Sequence, residues 1–162
     1  MPQIRFASFN AAGKGGTLEG LSTVVHCINS ACGERDVMFI SELDFLVTCD
    51  FEFVDDYRIF RHYPPVGGRA MGFLIKRHLE CFVRHIVFRG RAGLLQLSSL
   101  RAADGFCAAC AIIGIHGAHG ENLEDSLSDA AYVASYTDRS CRRVFAGDWN
   151  VDVLPELTSD PF

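Results

Sequence analysis

The sequence lacks a long apolar run. Its longest apolar stretch, residues 106–115, is well short of the roughly 20 residues that a membrane-spanning helix needs. The N-terminal segment MPQIRFASFN also lacks the apolar core of a signal peptide and is typical of a strand. The sequence therefore predicts a protein that is neither embedded in a membrane nor secreted, with an intracellular location in the nucleus or the cytoplasm.

An excess of positive charge is also absent. The chain carries 15 lysines and arginines against 20 aspartates and glutamates, a formal net charge of −5 at pH 7. This balance argues against a basic clamp that holds nucleic acid mainly by charge. It does not exclude a nuclease, because a carboxylate cluster that binds a divalent cation is acidic until the metal neutralises it.

The cysteines lack the pattern of a disulfide framework or a structural zinc site. There are seven of them, an odd number, scattered along the chain. Cys107 and Cys110 form one C-x-x-C within an apolar strand, and the sequence has no second C-x-x-C and no H-x-x-x-H. Reduced, buried thiols are therefore expected.

The length and the order of elements indicate one α/β domain, which covers residues 1–162. Apolar runs typical of strands alternate with two helical segments. The predicted strands cover residues 3–9, 36–41, 57–63, 70–76, 81–88, 94–100, 106–115 and 143–146. Asp104-Gly105 is a strong turn signal and predicts a hairpin between the sixth and seventh of these strands.

Both predicted helices are amphipathic. Thr17 caps the first helix and Gly33 ends it, whereas Asn122 caps the second, which runs to about Tyr136. Residues at helical spacing predict the buried faces: Leu18, Leu21, Val25 and Ile28 in the first helix, and Leu123, Leu127, Ala130, Ala131 and Ala134 in the second.

Polar side chains follow four predicted strands where each strand ends. They are Asn10, Glu42, His116 and Asp148. In α/β sheets this edge is where sites are usually built. Phosphodiester cleavage needs a cation, a base for the attacking water and donors for the developing charge. Carboxylate and amide oxygens suit Mg²⁺, which binds few protein side chains and keeps several waters.

Four short segments carry a family resemblance. FASFN, MFISE, IIGIHGAHG and VFAGDWN occur in this order, and each is an apolar strand that ends in a polar group. The series resembles the endonuclease/exonuclease/phosphatase family, in which GDWN matches the G-D-x-N signature. GGRAMGFLIK also resembles the family's glycine-bearing strand after a basic loop. The resemblance implies an α/β fold of two packed β-sheets flanked by helices, a deoxyribonuclease-like four-layer sandwich.

The resemblance also implies roles for individual residues. Glu42 and Asn10 would bind the metal, with Mg²⁺ as the first cofactor and Mn²⁺ as the alternative. Asp148 would activate or accept a proton at the reacting oxygens, and Asn150 would orient it or contact the phosphate. The implied activity is metal-dependent hydrolysis of a phosphodiester, with DNA as the first substrate. Among family branches, a retrotransposon-type or abasic-site-like endonuclease is favoured.

Two histidines compete for one place in the resemblance. His116 stands where many family members have a phosphate-stabilising histidine, and His119 follows the same strand. The sequence leaves the choice between them open.

The chain departs from the family pattern at two points. Ser41 stands where the family commonly has glutamine, which weakens the expected orientation of Glu42. No Ser-Asp-His-like segment follows Asn150, so the sequence predicts a C-terminally incomplete domain, about two-thirds of a family domain. A truncated, inactive remnant that binds metal or nucleic acid without cleaving it is therefore the alternative function.

Two further features leave alternatives open. The segment AGKGGT invites a nucleotide-binding P-loop hypothesis, but Lys14 is followed by glycines rather than by Ser or Thr, so the match fails. Five basic residues near the predicted site form either a path for a phosphate backbone or an ordinary solvated face: Arg58, Arg61, Arg69, Lys76 and Arg77.

Overall fold

A computed structural model describes residues 4–44, 50–64, 69–102, 105–107, 109–117, 123–139 and 141–148. In chain order its elements are β1 (Phe6–Asn10), α1 (Leu18–Cys32), β2 (Val37–Leu43), β3 (Phe53–Val54), β4 (Tyr57–His62), β5 (Ala70–Lys76), a 3₁₀ helix (Arg77–Phe82), β6 (Val83–Arg89), β7 (Ala92–Leu97), β8 (Leu100–Ala102), β9 (Gly105–Cys107), β10 (Cys110–His116), α2 (Leu123–Ala134) and β11 (Arg142–Asp148).

The longer strands form two sheets. The first has the order β1-β2-β5-β4-β3 and the second has the order β11-β10-β7-β6, while β8 and β9 pair by themselves. β1 runs parallel to β2, and β10 runs parallel to β11. The carboxyl ends of each parallel pair therefore lie side by side, which is the geometry on which the predicted site depends.

The two sheets pack face to face, with one helix outside each of them. Phe39 and Phe73 from the first sheet meet Leu95 and Ile112 from the second in one buried apolar cluster. Helix α1 covers the outer face of the first sheet with Leu21, Val24, Val25 and Ile28. Helix α2 covers the outer face of the second sheet with Ala130 and Val133. The predicted fold, a two-sheet sandwich flanked by helices, is confirmed.

Several predicted boundaries are confirmed. Strand β5 covers the predicted residues 70–76, and Gly33 ends helix α1 with φ 77°. The side chain of Thr17 accepts a hydrogen bond from the backbone N–H of Gly20 at 3.0 Å, which satisfies one otherwise unpaired donor of the first turn. The predicted hairpin is present in two parts, because β8 pairs with β9 at the turn and β7 pairs with β10 farther out.

Other predictions were wrong. The strand predicted to begin at residue 81 begins at Val83, because residues 77–82 form a 3₁₀ helix, and the short strand β3 was not predicted. Leu18 and Leu127 are each 47% exposed, so neither lies on the buried face of its helix. The expectation of buried thiols also fails at three exposed positions: Cys27, Cys32 and Cys81. In the part of the chain that the structure describes, no helix has both the length and the apolar character needed to cross a membrane.

Candidate active site

The ends of four strands from both sheets meet at one point. Asn10 ends β1 and Asp148 ends β11, and their side chains are joined through Asn10 Nδ2 and Asp148 Oδ2 at 2.9 Å. The same Asn10 nitrogen donates to Glu42 Oε1 at 3.1 Å, and His116 Nε2 lies 3.4 Å from that carboxylate oxygen. The structure therefore brings together Asn10, Glu42, His116 and Asp148. The other two predicted site residues, His119 and Asn150, lie outside the described residues.

The turn after β1 fixes which atoms Asn10 presents. Its Oδ1 accepts the backbone N–H of Ala12 at 2.8 Å, so Nδ2 is the atom that faces the carboxylates. Such a bond from an asparagine to the backbone two residues on is an Asx turn. Asn10 thus acts as a donor that bridges two acids, and its predicted metal-ligand role would use the oxygen that already holds the turn.

Glu42 has an unusual backbone conformation. Its φ is 54°, in the left-handed region that a residue with a side chain rarely adopts. The register between β2 and β5 shifts between Ile40 and Leu43, so Glu42 lies in a β-bulge. Bulges re-aim side chains next to sites, and a residue held in a rare conformation costs about 1–3 kcal/mol that the surrounding structure must offset. The bulge aims Glu42 at the strand-end cluster.

Arg69 forms an ion pair with Glu42 that was not predicted from the sequence. Its Nη1 donates to Glu42 Oε2 at 2.9 Å. The signal that could have found it is strand register, because Leu43 pairs with Ala70 and Arg69 therefore stands opposite the end of β2. Ser41, which replaces the family's glutamine, is 1% exposed, and Glu42 is oriented instead by contacts with Asn10, Arg69 and His116.

The electrostatics of the two central groups favour a charged acid beside a neutral imidazole. The hydrogen bond from Asn10 is the largest effect on Glu42, and with His116 and Arg69 it outweighs desolvation and lowers the pKa of that carboxyl. Burial is the largest effect on His116, and with the charge of Arg91 it lowers the pKa of the imidazole despite Glu42 nearby. His116 is therefore mainly neutral at pH 7, when Glu42 is ionised.

A close backbone approach positions Asp148. Gly147, just before it, has φ 131°, and a Cβ at that position would lie 1.8 Å from the carbonyl oxygen of Ile115. Only glycine fits between the strands there. His116 and Asp148 are register partners across β10 and β11, so the tight contact at Gly147 places these two side chains at the same sheet edge.

The chemistry of the donor set fits a hard divalent cation. Glu42 and Asp148 supply carboxylate oxygens that are connected through Asn10. Mg²⁺ is commonly held by one or two carboxylates and keeps several waters. Within the described ranges, no group of three or more His, Cys, Asp and Glu side chains is arranged to hold a metal ion. The residues therefore suit Mg²⁺ with a largely aqueous shell better than a fully protein-ligated metal.

Together, the two sheets, the outer helices and the strand-end edge define a deoxyribonuclease-like fold. The structure is similar to D. rerio TDP2 complexed with single strand DNA product, with a TM-score of 0.58, 16% identity and coverage of 96% of this chain and 63% of that one. It is also similar to CdtB, the biologically active subunit of cytolethal distending toxin, with a TM-score of 0.55, 13% identity and coverage of 92% and 69%.

A third similar structure is a functionally unknown conserved protein from Enterococcus faecalis V583, with a TM-score of 0.61 and 10% identity. That match covers 92% of this chain and 68% of the other. No family model and no curated protein matches the sequence. At these identities the similarity shows the fold alone, and the chain spans less than two-thirds of the length of the TDP2 chain. The resemblance predicted from the sequence is confirmed at that level.

Proposed function

We propose that this chain is a metal-dependent phosphodiester hydrolase of the deoxyribonuclease-like fold, and that DNA is its favoured substrate. One observation carries the proposal: Asn10, Glu42, His116 and Asp148 come from four strand ends in two sheets and meet within hydrogen-bonding reach. Clusters of ionisable groups with altered pKa values are typical of functional sites. The similar fold of D. rerio TDP2, whose structure holds a single strand DNA product, supports a nucleic acid as the substrate.

In the proposed reaction, each side chain has a distinct part. Asp148 accepts a proton from the attacking water, and Asn10 Nδ2 holds the Asp148 carboxylate in position at 2.9 Å. His116 is neutral at pH 7 and has a single ring N–H, which would leave Glu42 Oε1, 3.4 Å from Nε2, and donate to a phosphate oxygen when the substrate binds. Glu42 and Asp148 would supply oxygen ligands for Mg²⁺ or Mn²⁺, which when bound would supply positive charge to neutralise the phosphate.

The test is nicking of supercoiled plasmid by the purified chain. We expect relaxation of the plasmid with Mg²⁺ and none with EDTA. Glu42→Gln and Asp148→Asn should each lower the rate by at least about 10²-fold, because an acid–base or electrostatic group is typically worth 10²–10⁴ in rate. Glu52→Gln is the matched control, since it neutralises a carboxylate that is 67% exposed and has a long ion pair with Arg58.

A folded chain that neither nicks plasmid nor hydrolyses bis(p-nitrophenyl) phosphate would overturn phosphodiester hydrolysis by this chain. Folding should be checked by circular dichroism and by a cooperative unfolding transition. Nicking that persists at the wild-type rate in both variants would instead overturn the assignment of the site. A second substrate, bis(p-nitrophenyl) phosphate, separates loss of phosphodiester chemistry from loss of DNA binding.

An inactive remnant that binds without cleaving is the second candidate function. The observation that favours it is that both oxygens of Glu42 already have donors, Asn10 Nδ2 at Oε1 and Arg69 Nη1 at Oε2. It predicts binding of Mg²⁺ or single-stranded DNA without turnover, so plasmid stays supercoiled while a labelled oligonucleotide is retained. Binding that is lost in Glu42→Gln would connect the remnant to the same residues.

A further inference from the structure

Arg69 and Glu42 form an ion pair at the centre of the candidate site. Arg69 Nη1 lies 2.9 Å from Glu42 Oε2, while Asn10 Nδ2 donates to Oε1 of the same carboxylate. Both oxygens of Glu42 are therefore engaged by donors from the protein. The Arg69 side chain is 50% exposed and that of Glu42 is 24% exposed, so the guanidinium remains in contact with solvent while it is bound to the acid.

The loop after β1 is shaped to receive this guanidinium. A Cβ at Gly13 would lie 2.7 Å from Arg69 Cζ and 2.9 Å from Nη2, so the absence of a side chain there leaves space for the group. Gly13 also has φ 78°, and its backbone N–H donates to the carbonyl oxygen of Glu42 at 2.8 Å. One glycine thus contacts both partners of the ion pair, which distinguishes Arg69 from an ordinary exposed arginine.

We propose that Arg69 is an internal counter-cation of Glu42 that a divalent metal ion displaces when it binds. The inference rests on the proposed function, because it takes Glu42 as a metal ligand. A metal bound to Oε2 would occupy the place of the guanidinium, and two cations at this separation repel each other. The exchange keeps the Glu42 carboxylate paired with a cation both before and after metal binding.

The displacement has a measurable consequence for metal affinity. Removing the guanidinium removes a competing positive charge within about 4 Å of the metal position, which should tighten metal binding on the order of tenfold at low salt. Replacement by lysine keeps the charge, so affinity should stay within about twofold of wild type. Removal of Glu42's own charge should abolish binding at this position.

The experiment is a Mn²⁺ titration of the full chain followed by electron paramagnetic resonance of free Mn²⁺. We expect Arg69→Gln to bind Mn²⁺ about tenfold more tightly than wild type, and Arg69→Lys to bind it like wild type. Arg84→Gln is the matched control, because Arg84 forms another exposed ion pair, with Asp138 at 3.2 Å. This control removes the same charge elsewhere and should leave Mn²⁺ affinity unchanged.

The outcomes separate this inference from the proposed function. If Glu42→Gln abolishes Mn²⁺ binding while Arg69→Gln binds no more tightly than wild type, the counter-cation role is overturned and the metal site stands. If Glu42→Gln binds Mn²⁺ like wild type, or if neither wild type nor any variant binds it, the counter-cation role and the proposed metal site are both overturned. Thermal unfolding provides a second readout, in which Mn²⁺ should raise the Tm of Arg69→Gln more than that of wild type.

Discussion

The side chains of Asn10 and Asp148 are 138 residues apart in sequence and are joined by a 2.9 Å hydrogen bond from Nδ2 to Oδ2. This bond connects the first strand of one sheet to the last described strand of the other. Asn10 also donates to Glu42, so a single amide nitrogen separates two carboxylates that would otherwise repel each other. The bridge makes Asn10 a residue on which both the site and the stability of the sheet edge depend.

Replacement of Asn10 by aspartate tests the bridge. Asn10→Asp keeps the size of the side chain but puts a third negative charge between Glu42 and Asp148. We expect the free energy of unfolding to fall by about 1–3 kcal/mol without metal, because the donor is lost and like charges face each other. Because Mg²⁺ neutralises the added charge, it should restore most of this loss in urea unfolding.

A second asparagine provides the control for Asn10→Asp. Asn29, in helix α1, donates from Nδ2 to the hydroxyl of Tyr57 at 3.2 Å. Asn29→Asp should also lower the free energy of unfolding, but Mg²⁺ should give it no more stabilisation than wild type receives. An equal response of both variants to Mg²⁺ would contradict the bridging role of Asn10.

The ion pair of Arg5 and Asp36 should make stability depend on pH. Asp36 accepts the Arg5 backbone N–H at 2.7 Å and the guanidinium at 3.2 Å. Burial raises the pKa of Asp36, but the hydrogen bonds and charge of Arg5 outweigh it, and the net shift is downward. A lowered folded-state pKa gives stability that is present above the unfolded value, near pH 4, and is lost as the pH falls through the folded value.

Asp36→Asn is the measurement for that pH dependence. At pH 7 we expect its free energy of unfolding to be about 2 kcal/mol below that of wild type, since a hydrogen-bonded charged acceptor is lost and Arg5 is half exposed. The difference should shrink as the pH is lowered below about 4. Asp56→Asn, at an exposed position, should show no comparable difference. A difference in the free energy of unfolding that stays constant from pH 7 to pH 2 would contradict a stabilising role for the Asp36 charge.

The parts of the fold that local signals specify were predictable. Strand β5 is fully buried and has no polar interruption until Lys76, so its limits follow from the sequence alone. Helix α1 has Thr17 at one end and Gly33 at the other, and both residues act within a few residues of their position. The meeting of Asn10, Glu42, His116 and Asp148 at one edge was also predictable, because each ends an apolar run and parallel strands align such ends.

Features that depend on distant partners were not predictable. The register of β2 and β5 brings Arg69 to Glu42, and a sequence without known register cannot show that pairing. Leu127 was expected to be buried, yet α2 rests on the sheet through Ala130 and Val133 instead. The helical period gives an apolar face only approximately, and the neighbouring sheet decides which residues it covers.

Gly114 allows a close contact between the two sheets. A Cβ at this position would lie 2.2 Å from Cδ2 of Phe39, which is fully buried. We expect Gly114→Ala to lower the free energy of unfolding by about 1–3 kcal/mol, because inserting a methyl group into a packed core forces its neighbours out of position. Phe39→Leu should relieve the clash, so the double variant should lose less stability than the sum of the single losses. Additive losses in urea unfolding would show that the methyl group is accommodated elsewhere.

Gln96 presents a buried polar group with an incomplete set of hydrogen bonds. It is 0% exposed, and its Nε2 donates to Asp138 Oδ2 at 2.8 Å and to Cys141 Sγ at 3.3 Å. Within the part of the chain that the structure describes, its Oε1 has no hydrogen-bond partner. A buried acceptor without a donor costs about 1–3 kcal/mol, so the unpaired Oε1 offsets part of the stability that the Nε2 hydrogen bonds contribute.

Two replacements of Gln96 should therefore differ in their effect on the free energy of unfolding. Gln96→Met keeps a similar volume and removes the unpaired oxygen, while Asp138, whose side chain is 47% exposed, regains water. We expect its free energy of unfolding to lie within about 1 kcal/mol of wild type or above it.

Gln96→Glu puts a carboxylate into the same buried position facing Asp138, and we expect a loss of at least about 3 kcal/mol at pH 7. That loss should decrease as the pH is lowered and the new carboxyl takes up a proton. Chemical denaturation at pH 7 and pH 5 measures both, and a Met variant that loses more than about 2 kcal/mol would mean that the Asp138 hydrogen bond outweighs the unpaired oxygen.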